Sequence, residues 1–191
     1  MKIIGLCGAA RSGKDSFYTF SKDIFKSNGI LTERIAFADE LKQECLKFLK
    51  DNTGLSPFTK DPKEKEIIRP FLVTYGTHIR RKLNPNCWID RINKKAKNLI
   101  SEGIVPIVTD VRYPNEADWI HSLGGKVIHI SRFGIEPINT EERENDPILK
   151  NKADETLSWQ TFGDSPTLYK WSLNPTLQRM LHSSASHHLD I

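Results

Sequence analysis

Cysteine is scarce: Cys7, Cys45 and Cys87 are the only three in 191 residues, far apart and without a C-x-x-C pair. Neither a disulfide framework nor a zinc site follows from that spacing, and buried structural thiols are expected. Apolar runs are short as well. None approaches the roughly 20 residues that span a bilayer, and the start, Met1 to Leu6, has too little apolar length for a secretory signal. A cytoplasmic protein with no membrane association is expected. A dense basic stripe is also missing. The 28 Lys and Arg against 24 Asp and Glu leave a net charge of +4, a bias that suits small anionic ligands and does not point to nucleic acid. His78, His121 and His129 stand alone without metal-ligand spacing, and His187 and His188 lie in a tail, 183–191, expected to be frayed. With no linker, repeat or low-complexity tract, the chain is expected to form one domain over 1–191.

What is present is an alternation of short apolar runs and helical periodicities. Strands are expected at Lys2 to Leu6, Arg34 to Phe37, Ile104 to Val108, Lys126 to Ser131 and Leu168 to Leu173. Helices are expected at Asp15 to Lys26, Ala38 to Lys50, Pro70 to Leu83, Cys87 to Glu102, Asn115 to Leu123 and Pro175 to Leu181. A long surface loop is expected over 51–65, and a charged excursion without periodicity over 133–152. The alternation implies a three-layer α/β fold, with a mainly parallel sheet and helices on both faces.

Between the first strand and the first helix stands Gly8-Ala9-Ala10-Arg11-Ser12-Gly13-Lys14-Asp15-Ser16. In a G-x-x-x-x-G-K loop the small residues let successive backbone N–H groups converge on one anion, and the helix that follows adds its positive end. Lys14 supplies a point charge for the β- and γ-phosphates of a nucleotide. The usual Ser or Thr after the lysine, which meets Mg²⁺, is here Asp15, with Ser16 next; either can face the metal. Asp110, at the carboxyl end of the third strand, is a further candidate for Mg²⁺ or its water, and Arg112 can reach a transferring phosphoryl group.

A second set of cations lies at Arg69, Arg80 and Arg81, with Tyr75 and Thr77 between them. On a regular helix Arg69 and Arg80, eleven residues apart, share a face, while Arg80 and Arg81 diverge by about 100°. An arginine fork suits a monophosphate, because paired charge-assisted bonds fix its position and orientation. Tyr75 and Trp88 offer aromatic surfaces for a base, yet both occupy apolar helical positions, where core packing is the better expectation.

Four segments together resemble the bacteriophage-type deoxynucleoside monophosphate kinases. They are the loop at 8–16, Ala36-Phe37-Ala38-Asp39 with Leu41-Lys42, Tyr75-Gly76-Thr77 with Arg80, Trp88 and Asp90, and Thr109 to Ala117. The similarity runs from residue 2 to about 131 and accounts for Asp15, since that family typically carries Gly-Lys-Asp. It implies a P-loop kinase core, ATP and Mg²⁺ as cofactors, and a deoxynucleoside 5′-monophosphate as acceptor. It also implies that Asp39, Lys42, Arg69, Thr77, Arg80, Trp88, Arg112, Asn115 and Glu116 surround that acceptor. The excursion 133–152 would be a lid, with Arg132 or Arg143 closing over phosphates. A homodimer is compatible with the sequence. Two other readings share parts of the pattern: a phosphomevalonate kinase-like small-molecule kinase, and an ATP-hydrolysing module that binds nucleic acid.

Overall fold

The computed structural model describes residues 2–159 together with Thr167, Leu173 and Pro175–Arg179. They fall into two compact units. The first holds the described residues up to Ile35 and from Lys95 onward, and the second is Ala36–Lys94.

In the first unit five strands, β1 Ile4–Cys7, β2 Leu31–Ile35, β3 Ile104–Val108, β4 Lys126–Arg132 and β5 Glu155–Trp159, form a sheet in the order β2-β3-β1-β4-β5. Every pairing is parallel, with Ile4 opposite both Ile107 and Lys126. β1 is central and buried along its whole length, as its apolar run without alternation requires. Side chains alternate across a strand, so β1 shows what lies on each face. Ile4 and Leu6 join Phe17 and Phe25 of helix α1 (Lys14–Ser27) in one core cluster. A Cβ on Gly5, which points the other way, would lie 3.1 Å from Ile120 of helix α5 (Pro114–Ser122). Helices therefore cover both faces, and the three-layer expectation holds.

Two segments depart from the sequence reading. The excursion 133–152 contains helix α6, Thr140–Lys152, N-capped by the Asn139 side chain, and it is followed by β5, which periodicity had not marked. Of the strand expected at Leu168 to Leu173 only Leu173 is described, and it is helical, as are Pro175–Arg179; the tail 183–191 lies outside the described residues.

The second unit contains helices α2 (Phe37–Thr53) and α3 (Pro62–Val73) and the start of α4 (Cys87–Ser101). The loop expected to reach residue 65 ends earlier, because Asp61 caps α3 by accepting from the Lys63 and Glu64 N–H groups. Pro70 lies inside α3 rather than in its first turn, and the chain then continues as π-helix over Thr74–Arg81. Wider i→i+5 winding breaks the eleven-residue relation between Arg69 and Arg80 that a regular helix would give. Gly76 lies within this stretch against Leu41 of α2, whose Cδ2 would be 2.7 Å from an added Cβ.

Candidate functional site

The loop at residues 8–16 is built on backbone that only glycine accepts easily. Gly8 has φ of 120° and Gly13 of 103°. A Cβ on Gly8 would lie 2.1 Å from the Ile130 carbonyl oxygen, and one on Gly13 would lie 2.5 Å from the Trp159 ring. Both positions are thus fixed by conformation and by space. Trp159, the last residue of β5, braces the loop from outside it, donating its indole N–H to the Ser12 carbonyl at 2.6 Å. This support was missed in the sequence, although Glu155–Trp159 does alternate, with Leu157 and Trp159 buried between exposed Thr156 and Ser158.

Lys14 donates from Nζ to the carbonyls of Gly8 at 2.8 Å and Ala9 at 2.7 Å, so its ammonium sits over the loop. Burial, and after it the Arg112 charge, hold its pKa down at about 8; the carboxylates of Glu142 and Asp110 act in the opposite direction. Arg112 is carried on a stretch of backbone tied down by Glu116. That carboxylate accepts from the Arg112 N–H at 2.7 Å and the Tyr113 N–H at 3.1 Å. Glu116 is wholly buried. The sequence resemblance sets it beside an acceptor, and in the structure its carboxylate holds the backbone beneath Arg112. Asn115 precedes it in the first turn of α5, and Asp110 is half-buried after β3.

A residue that the sequence reading did not single out joins this group. Glu142, in the first turn of α6, receives Arg112 Nη1 at 3.0 Å on Oε1 and the Ala10 N–H at 3.3 Å on Oε2. Its neighbourhood made it hard to find, because 133–152 is charged throughout and the helix buries only Leu149. Arg143 beside it is exposed, and Arg132 at the end of β4 is half-buried. Asp15 is 84 % exposed and lies 3.7 Å from Arg34. Ser16 follows it, half-buried, in the first turn of α1. Among the described residues no group of three or more His, Cys, Asp or Glu could hold a metal by itself. All three cysteines are free and buried, and burial pushes the Cys7 thiol up to about 12.

The second unit gathers its cations on another carboxylate. Glu44 of α2 accepts from the Tyr75 hydroxyl at 2.6 Å and from Arg91 Nη2, also at 2.6 Å. Arg80 Nε forms an ion pair with Glu44 Oε1 at 2.8 Å, and its Nη2 donates to Glu44 Oε2 at 3.4 Å. Partial burial pushes the Glu44 carboxyl up, but Tyr75 and the two guanidiniums outweigh it and hold it below the usual carboxylate value. Trp88 is 2 % exposed and donates its indole N–H to the Gly76 carbonyl at 3.3 Å. Its ring backs the Arg80 guanidinium at 5.7 Å, so packing, not base stacking, is its place here. Lys42 lies over the Phe58 ring at 5.7 Å, Asp39 and Thr77 are half-buried, and Arg69 is exposed. Arg91 was missed in the sequence.

The family model of deoxynucleotide monophosphate kinase matches residues 20–152, which begins beyond the glycine-rich loop itself. A protein of Acanthamoeba polyphaga mimivirus, provisionally named deoxynucleotide monophosphate kinase, is 29 % identical over 161 residues, 75 % of this chain and 81 % of its own. An uncharacterised protein of Ictalurid herpesvirus 1, ORF77, is 36 % identical over 85 residues, 42 % of this chain and 37 % of the viral one. Among solved structures, dephospho-CoA kinase from Campylobacter jejuni superposes with a TM-score of 0.51 at 16 % identity. That alignment covers 96 % of this chain and 98 % of the other, a likeness of fold alone. With the family match spanning most of the sequence, and a P-loop kinase fold beneath it, the chain belongs to the deoxynucleotide monophosphate kinase family and is a nucleotide kinase.

Proposed function

We propose that the protein transfers the γ-phosphoryl group of ATP to a deoxynucleoside 5′-monophosphate, giving the deoxynucleoside diphosphate and ADP. The observation that carries this is the meeting of a loop N–H and Arg112 on the Glu142 carboxylate, with the Lys14 ammonium over the same loop, a set of donors suited to a phosphate. Phosphoryl transfer asks the protein for alignment, charge neutralisation and exclusion of water rather than covalent chemistry. Lys14 and Arg112 serve the second of these on the donor side. On the acceptor side the Glu44 cluster has two guanidiniums for one carboxylate, an excess of positive charge that a monophosphate can take up. Arg80 and Arg91 are therefore assigned to the acceptor's phosphate, with Asp39, Lys42, Arg69, Thr77 and Asn115 as further candidates around it. The lid role belongs to α6 and the residues before it, with Arg132 and Arg143 as its cations.

The residues near the loop fit a hydrated magnesium ion. Mg²⁺ keeps several waters and needs only one or two protein oxygens, and Ser16 and Asp110 offer a hydroxyl and a carboxylate. Ser12 Oγ in the loop and Thr109 Oγ1 next to Asp110 are buried without a hydrogen-bond partner among the described residues, as befits a site completed by a polar ligand. Mg²⁺ held there would supply neutralisation of the charge on the nucleotide's phosphates. Asp15, paired with Arg34, is the weaker candidate of the three.

Measuring ADP formation with each deoxynucleoside monophosphate in turn tests the reaction. Turnover that depends on at least one of them is expected. Transfer to phosphomevalonate alone, or ATP hydrolysis that responds to DNA and to no monophosphate, would replace this reading.

A further inference from the structure

Glu142 makes contacts that a phosphate of the nucleotide would need for itself. Its Oε2 accepts from the N–H of Ala10, inside the loop, and from the N–H of Ile138, both at 3.3 Å. Its Oε1 holds Arg112 Nη1 at 3.0 Å, and the side chain is only 10 % exposed. Its own N–H is fixed by the Asn139 side chain at 2.8 Å, so the first turn of α6 presents the carboxylate rigidly. A carboxylate so placed is an anion surrounded by backbone donors and a guanidinium, the same chemistry with which a P-loop grips phosphate. One N–H and one guanidinium cannot serve both partners at full strength.

We propose that Glu142 is an internal anion that competes with the nucleotide's phosphates for Ala10 and Arg112, so that binding of the donor expels it and loosens the first turn of α6. Arg112 is thereby handed from a carboxylate to a phosphoryl group, and it becomes available only when donor nucleotide is bound. The device ties release of the lid helix to occupancy of the loop. It rests on the reading of residues 8–16 as the donor site and is independent of which monophosphate is accepted.

Titration calorimetry with ADP in EDTA tests it without any turnover. Glu142→Gln keeps the shape and the helix cap but removes the charge, and it should bind ADP about tenfold more tightly, the scale of one charge-assisted hydrogen bond. Asn139→Ala, which frees the turn that presents Glu142, should move affinity the same way by a smaller factor. In the unaltered protein, hydrogen exchange over residues 138–146 should quicken on adding ADP while residues 9–14 become protected. Unchanged or weaker ADP binding by folded Glu142→Gln would overturn the proposal, as would protection of 138–146. Weakening seen only with Mg²⁺ present would also overturn it, by making Glu142 a metal-side ligand. Failure of the underlying donor-site reading is distinguishable, since Lys14→Met would then leave ADP affinity untouched.

Discussion

Each unit of the molecule organises its arginines on a glutamate, and the two glutamates differ in what they leave over. Glu142 holds one guanidinium and two backbone N–H groups, so its charge is matched and its donors are engaged. Glu44 holds two guanidiniums and a hydroxyl, so a positive charge remains in excess. The first arrangement yields to an incoming anion by exchange; the second accepts an anion by addition. A carboxylate that must leave can be at once inhibitory and correct, whereas one that must stay is scaffolding for its arginines. The donors on Glu44 are themselves packed on aromatic rings, with Arg80 backed by Trp88 and Tyr75 stacked on Phe71 at 6.0 Å.

The largest effect should come from removing the donor-side charges that both arrangements presuppose. Lys14→Met or Arg112→Ala should abolish measurable transfer, a loss of roughly a thousandfold or more in kcat, while circular dichroism stays native. Full activity in either folded variant would dissolve the distinction between the two glutamates, because neither would then border a reacting phosphate.

Glu44→Gln sharpens the comparison from the other side. With the carboxylate gone, Arg80 and Arg91 repel and lose their common anchor, so KM for the monophosphate should rise about tenfold while KM for ATP holds. Stability should fall by about 1 kcal/mol, a modest figure because Arg91 is 51 % exposed and its pairing is screened. The sign with pH follows from the depressed Glu44 carboxyl. Its contribution is present above the unfolded pKa and is lost as pH falls through the lower folded value. Acid unfolding of the variant should therefore be less steep than that of the parent. Equal changes in both KM values would mean that Glu44 merely holds its unit together.

Much of this could be read from the sequence where local geometry alone decides. Ile104 to Val108 is a strand because five apolar residues in a row suit a parallel sheet buried on both faces, and the structure ends it at those same residues. The loop was legible because glycine at 8 and 13 answers a backbone requirement. Elements decided by distant partners were not. Within the π-helix at 74–81 Gly76 packs closely on Leu41, and nothing in a run of residues reveals i→i+5 bonding. α6 carries Pro147 and buries Leu149 alone, so its periodicity is too faint to register. Glu142 and Glu44 escaped for a related reason: a glutamate becomes informative only when its cations, 30 residues away in sequence for Glu142 and 36 and 47 for Glu44, are brought to it.

A smaller effect is expected from protonation of Lys14. Burial and the Arg112 charge hold it at about 8 where an exposed lysine sits at 10.5, so above pH 8 the neutral amine predominates in the free site. Bound phosphates favour the ammonium and raise its pKa again. ADP affinity should therefore be level below pH 8 and fall as pH rises beyond it. Calorimetry in buffers of differing ionisation enthalpy should register proton uptake on binding near pH 8. Monophosphate binding, which is assigned to Arg80 and Arg91 and not to Lys14, should show no such fall. A parallel decline in both would break the separation of the two sites.

The mildest test touches the loop only through its brace. Trp159→Phe keeps an aromatic ring against Gly13 but removes the indole N–H that reaches the Ser12 carbonyl at 2.6 Å. A buried acceptor left without its donor costs about 1–3 kcal/mol of stability, so the melting temperature should drop. The loop, less firmly held, should bind ADP a few-fold more weakly. Because the brace belongs to the donor side alone, KM for the monophosphate should stay where it is, the mirror image of Glu44→Gln. If the two variants gave the same pattern of KM changes, the donor and acceptor groups would not be separately supported, and the contrast between the two glutamates would reduce to a difference in charge balance.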